Sequence, residues 1–239
     1  MQCVILAGGR GTRLGRLTED LPKALVDVAG RPFLEYQLEL LCTGGVSEIV
    51  LCVGYLGSVV ERTIGDGSRF GLSIRYSYDG AEPLGTAGAV RKALPVLGER
   101  FLVTYGDTLL TVDHSAVARA HTSSGLPALM TVLENENSYG PSNAVVEGGL
   151  VVAYGKTPPP QNARWIDYGL LGFHRAAIEH STDAELEPVL AKLADERQLA
   201  AYEVDERFYE IGDEAGLAET TEFVGVSPRF ARLRPEDTA

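Results

Sequence analysis

Short apolar runs and amphipathic stretches alternate along the first half of the chain. Runs rich in branched aliphatic residues predict buried strands over 1–5, 47–53, 72–78 and 101–105. Apolar residues at helical spacing predict helices over 33–44, 56–64 and 86–94. Such alternation is typical of α/β proteins, in which helices cover both faces of a mostly parallel sheet. We therefore expect an α/β fold.

The second half of the chain is richer in strands. Its apolar runs predict strands over 128–133, 144–146, 150–154, 168–173 and 199–204. Helices are predicted over 183–196 and 213–223. The stretch 225–239 predicts a loose C-terminal tail. We expect one domain over 1–224, with a first half of about 1–125 and a strand-rich second half of about 126–224.

A glycine-rich loop follows the first predicted strand and reads Leu6-Ala7-Gly8-Gly9-Arg10-Gly11-Thr12-Arg13-Leu14. Its glycines let the backbone turn tightly, so that exposed N–H groups can surround an anion, and its arginines add donors suited to phosphate oxygens. A dinucleotide-binding fingerprint would need a third glycine at Leu14, and a P-loop would need Gly-Lys-Ser/Thr. An NAD-binding oxidoreductase is therefore disfavoured, while an ordinary strand-to-helix turn stays open.

The distribution of charge narrows the choice of ligand. The chain carries 21 Lys and Arg against 33 Asp and Glu, a formal net charge of −12, which argues against nucleic acid or an anionic membrane as a partner. Residues 1–31 nevertheless hold five basic and three acidic side chains, which indicates a small anionic ligand. The sequence shows no signal-like segment and no apolar run long enough to span a bilayer, so we expect a cytoplasmic protein.

Leu6 to Leu14, together with Pro22-Lys23, resembles the signature of the sugar-1-phosphate nucleotidyltransferases, or nucleotide-sugar pyrophosphorylases. Three further stretches resemble that family in the same order: Gly30-Arg31-Pro32-Phe33-Leu34-Glu35-Tyr36, Glu82-Pro83-Leu84-Gly85-Thr86-Ala87-Gly88-Ala89 and Tyr105-Gly106-Asp107. The segment 83–88 looks most like mannose- and heptose-1-phosphate guanylyltransferases. The resemblance implies a Rossmann-like, GT-A-like fold that binds nucleotide with its first half and sugar with its second.

The resemblance also implies a reaction. An oxygen of a sugar 1-phosphate attacks the α-phosphorus of a nucleoside triphosphate, with a weak preference for GTP, and pyrophosphate leaves in line. Positioning and electrostatics dominate such chemistry. Arg13 and Lys23 are the expected catalytic residues. Arg13 would hold the β- and γ-phosphates, and Lys23 would stabilise charge near the α-phosphate and the sugar phosphate.

The residues expected to bind the nucleotide all belong to the first half. They are Leu6, Ala7, Gly8, Gly9, Gly11, Thr12, Arg13, Glu82, Gly85, Thr86 and Gly106. The carboxylate of Glu82 can accept hydrogen bonds from the N1–H and N2–H₂ edge of guanine, a pair of donors that adenine lacks. The alternative for Glu82 is a solvated loop charge.

The residues expected to bind the sugar 1-phosphate belong to the second half. By resemblance they are Asn143, Lys156, Asp167 and Gly169. Each also has a simpler interpretation: turn formation for Asn143, a solvated charge for Lys156 and a loop-to-strand junction for the other two.

Mg²⁺ is the expected cofactor, because this ion takes one or two carboxylates together with phosphate oxygens. By resemblance, Asp107 and Glu210 would bind it. Glu210 stands where the family usually has an aspartate, so the second ligand departs from the pattern. Asp213 is a substitute candidate, and the alternative interpretation of this residue is a cap of the last helix.

Two other functions stay open. One is a cytidylyltransferase acting on a phosphorylated alcohol. The other is a non-catalytic nucleotide-sugar binding subunit, in which Glu210 would mark a lost metal site. Such a loss is disfavoured by the presence of Lys23, Asp107 and Lys156. A homodimer is compatible with either class of function.

Overall fold

The computed structural model describes residues 1–233. The strands are β1 Gln2–Ala7, β2 Asp27–Val28, β3 Arg31–Pro32, β4 Glu48–Val53, β5 Ser73–Tyr78, β6 Arg100–Tyr105, β7 Thr108–Leu109, β8 Ala128–Glu134, β9 Ala144–Glu147, β10 Leu150–Tyr154, β11 Trp165–His174, β12 Leu199–Val204 and β13 Tyr209–Glu210. The helices are α1 Phe33–Thr43, α2 Gly57–Ile64, α3 Gly85–Ala93, α4 His114–Ser124, α5 Ala176–Glu179, α6 Leu186–Asp195 and α7 Glu214–Val226. Within residues 1–233, no helix combines the length and apolarity needed to cross a bilayer.

Nine strands form one sheet in the order β5-β4-β1-β6-β11-β8-β12-β10-β9. The first four strands are parallel, as the alternation of strands and helices predicts. In the rest of this sheet β8 and β12 are parallel, but β11 runs antiparallel to both β6 and β8. Gly148 and Gly149 alone join β9 to β10, and such a short connection permits only an antiparallel pair. The expectation of a mostly parallel sheet therefore holds only for the first half, and the sheet as a whole is mixed.

Alternate residues of β1 point to opposite faces of the sheet. Cys3 and Ile5 belong to the apolar cluster that includes α1, α2 and α4. Val4 belongs to the cluster that includes α3, α5 and α6. All three residues are fully buried, which explains why β1 is almost continuously apolar.

The pattern of apolar residues does not predict α4. This helix buries one aliphatic residue, Val117, beside His114 and His121, so its periodicity is weak. Its ends are nevertheless well defined. Asp113 accepts a hydrogen bond of 3.0 Å from the N–H of Ala116, and Gly125 ends the helix with a φ of 67°.

The C-terminal segment differs from the loose tail expected from residue 225. Helix α7 continues to Val226, and a 3₁₀ turn follows over Pro228–Leu233. Phe230 is fully buried and packs edge-to-face on Tyr36 of α1, with ring centroids 5.4 Å apart. The same cluster contains Leu14 of the glycine-rich loop, so the segment supports that loop. Residues 234–239 of the expected tail lie outside the described residues.

The carboxyl ends of the four parallel strands meet at one edge of the sheet. Ala7 of β1 lies beside Val53 of β4, which in turn pairs with Tyr78 of β5, while Tyr105 of β6 pairs with Leu6. The glycine-rich loop and the turn at 106–107 therefore emerge side by side. Open α/β sheets bind ligands at this edge.

Candidate active site

A cavity of about 290 Å³ opens at the carboxyl edge of the parallel strands. We call it the first cavity. The glycine-rich loop, Lys23 and the start of α3 form much of its wall. The structure brings together here seven of the residues expected to bind nucleotide: Leu6, Ala7, Gly8, Gly9, Gly85, Thr86 and Gly106.

The end of the glycine-rich loop lies outside the first cavity. Gly11 has a φ of 66°, and a Cβ at this position would lie 3.0 Å from the Cβ of Lys23. Glycine therefore lets the loop approach Lys23 closely. Thr12 lines a separate surface pocket, and Arg13 lines a second cavity, described below. These three residues therefore lie apart from the other residues expected to bind the nucleotide.

Besides Asp107, two acidic residues line the first cavity, and Glu82 is not among them. Glu82 is exposed and lies outside the cavity wall. Glu185 lies on the wall, where its carboxylate accepts hydrogen bonds from the N–H (3.1 Å) and the hydroxyl (2.7 Å) of Thr86. Asp79 is the second acid, and partial burial raises its pKa. The carboxylates that face the cavity are thus different from the one expected.

Close packing between α3 and the segment before α6 explains Gly85. This residue has a φ of 74°, and a Cβ would lie 2.4 Å from the carbonyl oxygen of Ala184. That oxygen accepts hydrogen bonds from the N–H groups of Ala87 (2.8 Å) and Gly88 (3.1 Å). The second half of the chain therefore completes the wall of the first cavity.

A second cavity of about 470 Å³ lies on the side of the second half. Asn143, Lys156, Asp167 and Gly169, the four residues expected to bind sugar phosphate, all line it. The side-chain oxygen of Asn143 accepts from the N–H of Asp167 (2.9 Å), whose carboxylate accepts from the N–H of Gly169 (3.0 Å). The ammonium of Lys156 lies 5.3 Å from the ring centroid of Tyr105.

The two cavities meet at Tyr105 and Asp107, which line both. The Nζ of Lys23 lies 2.6 Å from Oδ2 of Asp107. The side chain of Lys23 is 11% exposed, and that of Asp107 is 32% exposed. The backbone carbonyl of Asp107 accepts from the N–H of Ile211 at 2.9 Å. A cation and a carboxylate thus stand where the two cavities meet.

Glu210 approaches this junction from the second half. The short β7–β13 pair sets Glu210 opposite Thr108, and Glu210 lines the second cavity together with Asp107. Although Glu210 is exposed at the surface, partial desolvation raises its pKa, and the negative charges of Asp107 and Asp213 raise it further, while Lys23 and Arg13 oppose the shift. Charges of both signs therefore act on Glu210.

Arg13 and Glu210 converge on Gly212. A Cβ on Gly212 would lie 3.4 Å from Nη2 of Arg13 and 3.5 Å from Oε1 of Glu210. The carboxylate of Asp213 has a different task, since it accepts from the N–H of Gly216 at 2.9 Å and caps α7. Of the two interpretations of Asp213, its position supports the helix cap.

Several residues of the two cavities escape sequence reasoning. Glu185 stands at the start of α6 and reaches the first cavity only through the packing of the two halves. Tyr105 lines both cavities, and its ring lies beneath the ammonium of Lys156. Only the position of Tyr105 beside Gly106-Asp107 signals a role.

Comparisons with known proteins agree with this geometry. The family model described as nucleotidyl transferase matches residues 2–153. The chain is 37% identical over 199 residues to the N-acetylmuramate alpha-1-phosphate uridylyltransferase of Neisseria meningitidis. This match covers 80% of this chain and 84% of the relative. It is 32% identical to mannose-1-phosphate guanyltransferase beta-B of Xenopus laevis over 89% of this chain, and it spans 61% of that relative's length.

A solved structure agrees as well. The crystal structure of HddC from Yersinia pseudotuberculosis complexed with GMP-PN matches with a TM-score of 0.77 and 26% identity, over 92% of this chain and 98% of that chain. The family model covers more than half of the chain, and the match to the relative from Neisseria meningitidis covers 80% of it. The chain therefore belongs to the nucleotidyl transferase family, among the sugar-1-phosphate nucleotidyltransferases.

Proposed function

We propose that the protein transfers a guanylyl group from GTP to a sugar 1-phosphate, with mannose or a heptose as the sugar, to give a GDP-sugar and pyrophosphate. The observation that carries the proposal is the junction of the two cavities at Asp107, with Lys23 at 2.6 Å. A nucleotide in the first cavity and a sugar phosphate in the second would bring their phosphates together at this point. We further propose that residues 1–125 serve the nucleotide, residues 126–224 serve the sugar, and the enzyme acts in the cytoplasm.

The side chains at the junction have distinct tasks in this proposal. Lys23 stabilises negative charge on the α-phosphoryl group as the sugar-phosphate oxygen attacks phosphorus and the bond to pyrophosphate breaks. Arg13 holds phosphate oxygens through its guanidinium fork from the other side. Lys156 holds the sugar phosphate, and its ammonium forms no ion pair with the described residues. No side chain needs to act as a nucleophile, because positioning and electrostatics carry this chemistry.

The residues at the junction suit Mg²⁺. Asp107 and Glu210 offer carboxylate oxygens, and among residues 1–233 no third His, Cys, Asp or Glu joins them to form a closed metal cage. Mg²⁺ prefers such open sites, in which phosphate oxygens and water complete the coordination shell. When bound, the ion would offset the repulsion between the two phosphates.

The preference for guanine rests on Glu185 and Asp79. Both carboxylates line the first cavity, and Glu82, the residue that first motivated this preference, does not. The N1–H and N2–H₂ groups of guanine are adjacent donors that suit carboxylate acceptors. Uracil presents two carbonyl acceptors on either side of one N–H, so a pair of carboxylates would repel it. Thr86 fixes the Glu185 carboxylate through two hydrogen bonds and so orients the remaining acceptor.

A second candidate is uridylyl transfer to an N-acetylated sugar 1-phosphate. The observation in its favour is the 37% identity to the uridylyltransferase of Neisseria meningitidis. The aromatic wall of the second cavity, formed by Tyr139, Tyr168 and Phe208, has room for a substituted sugar. The two candidates differ in both substrates, which makes them easy to separate.

One experiment tests the proposal and its rival. Purified protein is incubated with Mg²⁺, one of GTP, UTP, CTP or ATP, and a panel of sugar 1-phosphates, and pyrophosphate release is measured. We expect the highest kcat/KM for GTP with mannose or heptose 1-phosphate. A clear preference for UTP with N-acetylmuramate 1-phosphate would support the second candidate. Activity that needs a phosphorylated alcohol instead of a sugar would overturn both.

A further inference from the structure

Gln37, on α1, is buried beneath the turn that carries Asp107. Its side chain is 4% exposed. The amide nitrogen donates two hydrogen bonds, to the carbonyl oxygens of Tyr105 (2.8 Å) and Thr108 (2.6 Å). These two carbonyls flank Gly106-Asp107. One side chain therefore spans both ends of the turn from below.

The same turn is held by backbone bonds on its other sides. The N–H of Gly106 donates to the carbonyl of Leu6 at 2.9 Å, and the carbonyl of Asp107 accepts from the N–H of Ile211 at 2.9 Å. These bonds fix the turn to β1 and to the segment of Glu210. Gln37 adds support from α1. These three contacts hold the backbone that carries Asp107, while Lys23 (2.6 Å) and the hydroxyl of Thr108 (3.1 Å) donate directly to its carboxylate.

A small cavity lies behind the Gln37 amide. Its volume is about 10 Å³, and Thr104, Thr108 and His114 line it together with leucine side chains. Within residues 1–233, Oε1 of Gln37 and Oγ1 of Thr104 are buried without a hydrogen-bond partner. A cavity of this size holds one water molecule if two to four polar groups surround it. Burial lowers the pKa of His114 to about 4, so its neutral ring can serve as the third polar group.

We propose that Gln37 is a positioning residue for Asp107, and that one buried water between Gln37, Thr104 and His114 holds its amide in place. The amide nitrogen points toward the two carbonyls because they accept its hydrogen bonds. The amide oxygen points toward the water because the water can donate to it. The amide then has a single orientation, and so does the turn above it. The proposal rests on the proposed role of Asp107 at the junction of the two cavities.

Three variants separate positioning from general stability. Gln37→Met keeps the length of the side chain and removes both donors. Thr104→Val removes only the hydroxyl that faces the water. His121→Leu is the matched control, because His121 is buried, contacts Arg100 at 3.1 Å and so lies at the opposite end of β6 from Asp107. Each protein, variant or wild type, is measured at the same number of degrees below its own melting temperature.

The first readout is hydrogen exchange of the Gly106 and Ile211 amides in protein without substrate. For Gln37→Met we expect exchange at both amides to rise about tenfold, since each amide depends on the position of the turn. Thr104→Val should raise it about threefold, and His121→Leu should leave it unchanged. Equal effects of Gln37→Met and His121→Leu, or no effect of Gln37→Met, would overturn the positioning role. No effect of Thr104→Val would overturn the water.

Two further measurements complete the test. A crystal structure of the wild type should show one water within hydrogen-bond distance of Gln37 and Thr104, and an empty cavity would contradict the proposal. In the enzyme assay, Gln37→Met should lower kcat about 10²-fold, as misplacing a reacting group does, and raise the Mg²⁺ concentration for half-maximal rate, with a smaller change in the KM for nucleotide. The exchange experiment needs no substrate, so its result does not depend on the enzyme assay. An inactive wild type would refute the proposed function, whereas the exchange result alone tests whether Gln37 positions the turn.

Discussion

Replacing Lys23 by methionine removes the cation at the junction of the two cavities and keeps most of the side chain's volume. The Nζ atom lies 2.6 Å from Asp107, and only 11% of the side chain is exposed. A positioned donor in such a water-poor site contributes about 2.7–4 kcal/mol to transition-state stabilisation, or about 10²–10³-fold in kcat. We therefore expect kcat to fall by that factor.

The cost to stability should be much smaller. Asp107 keeps 32% of its side chain exposed, so water can solvate its carboxylate after the ion pair is lost. Partly exposed ion pairs contribute up to about 1 kcal/mol, which corresponds to a shift in melting temperature of about 2–4 °C for a chain of this length. A large loss of rate with a small loss of stability is the signature of a catalytic cation.

The assay is pyrophosphate release at saturating GTP and sugar 1-phosphate, with melting temperature measured on the same samples. Lys192→Met is the matched control, because Lys192 is exposed on α6, away from both cavities. We expect the control to keep its rate. A folded Lys23→Met protein with a kcat within about threefold of the wild type would refute the role given to Lys23.

Three further predictions concern the residues around Lys23. Arg13→Ala should lower kcat/KM about 10²-fold or more in the pyrophosphate assay, and near-normal turnover would contradict its contact with phosphate. Glu185→Gln should reduce the preference for GTP over UTP about tenfold or more in competition assays, since a bond to a charged acceptor is lost; an unchanged ratio would exclude Glu185 from base recognition. The raised pKa of Glu210 means that the folded state holds its proton more tightly than the unfolded state, so its contribution to stability is lost as pH rises through the folded pKa. Glu210→Gln should therefore raise the melting temperature at pH 8 and not at about pH 4, while lowering activity at pH 8; a lower melting temperature at pH 8 would show that the ionised form is the stabilised one.

Sequence reasoning works at this site where a residue's role depends on its neighbours in the chain. Gly8 and Gly9 follow one apolar strand and Asp107 follows another, and parallel strands bring their carboxyl ends together. The strands and helices that the pattern does predict in the parallel half appear within a few residues of their predicted bounds. The grouping of Asn143, Lys156 and Asp167 in one cavity follows from the resemblance and not from any local pattern.

Contacts between distant segments leave no comparable signal. Glu185 reaches the first cavity because Ala184 caps α3 across the boundary between the two halves. Phe230 is one aromatic residue in a proline-containing stretch, and only its packing against Tyr36 and Phe223 shows that the segment belongs to the core. Gln37 lies on the buried side of α1, and its polarity alone hints at a task beyond packing. In each case tertiary contact decides the role.

The most direct test of nucleotidyl transfer follows the α-phosphorus of GTP. GTP labelled with ³²P at the α-position is incubated with the protein, Mg²⁺ and mannose or heptose 1-phosphate, and the products are separated. Attack at the α-phosphorus predicts that the label appears in GDP-sugar, with one unlabelled pyrophosphate released for each labelled product. Label that stays in GTP, or that appears in GMP or GDP without a sugar attached, would contradict it.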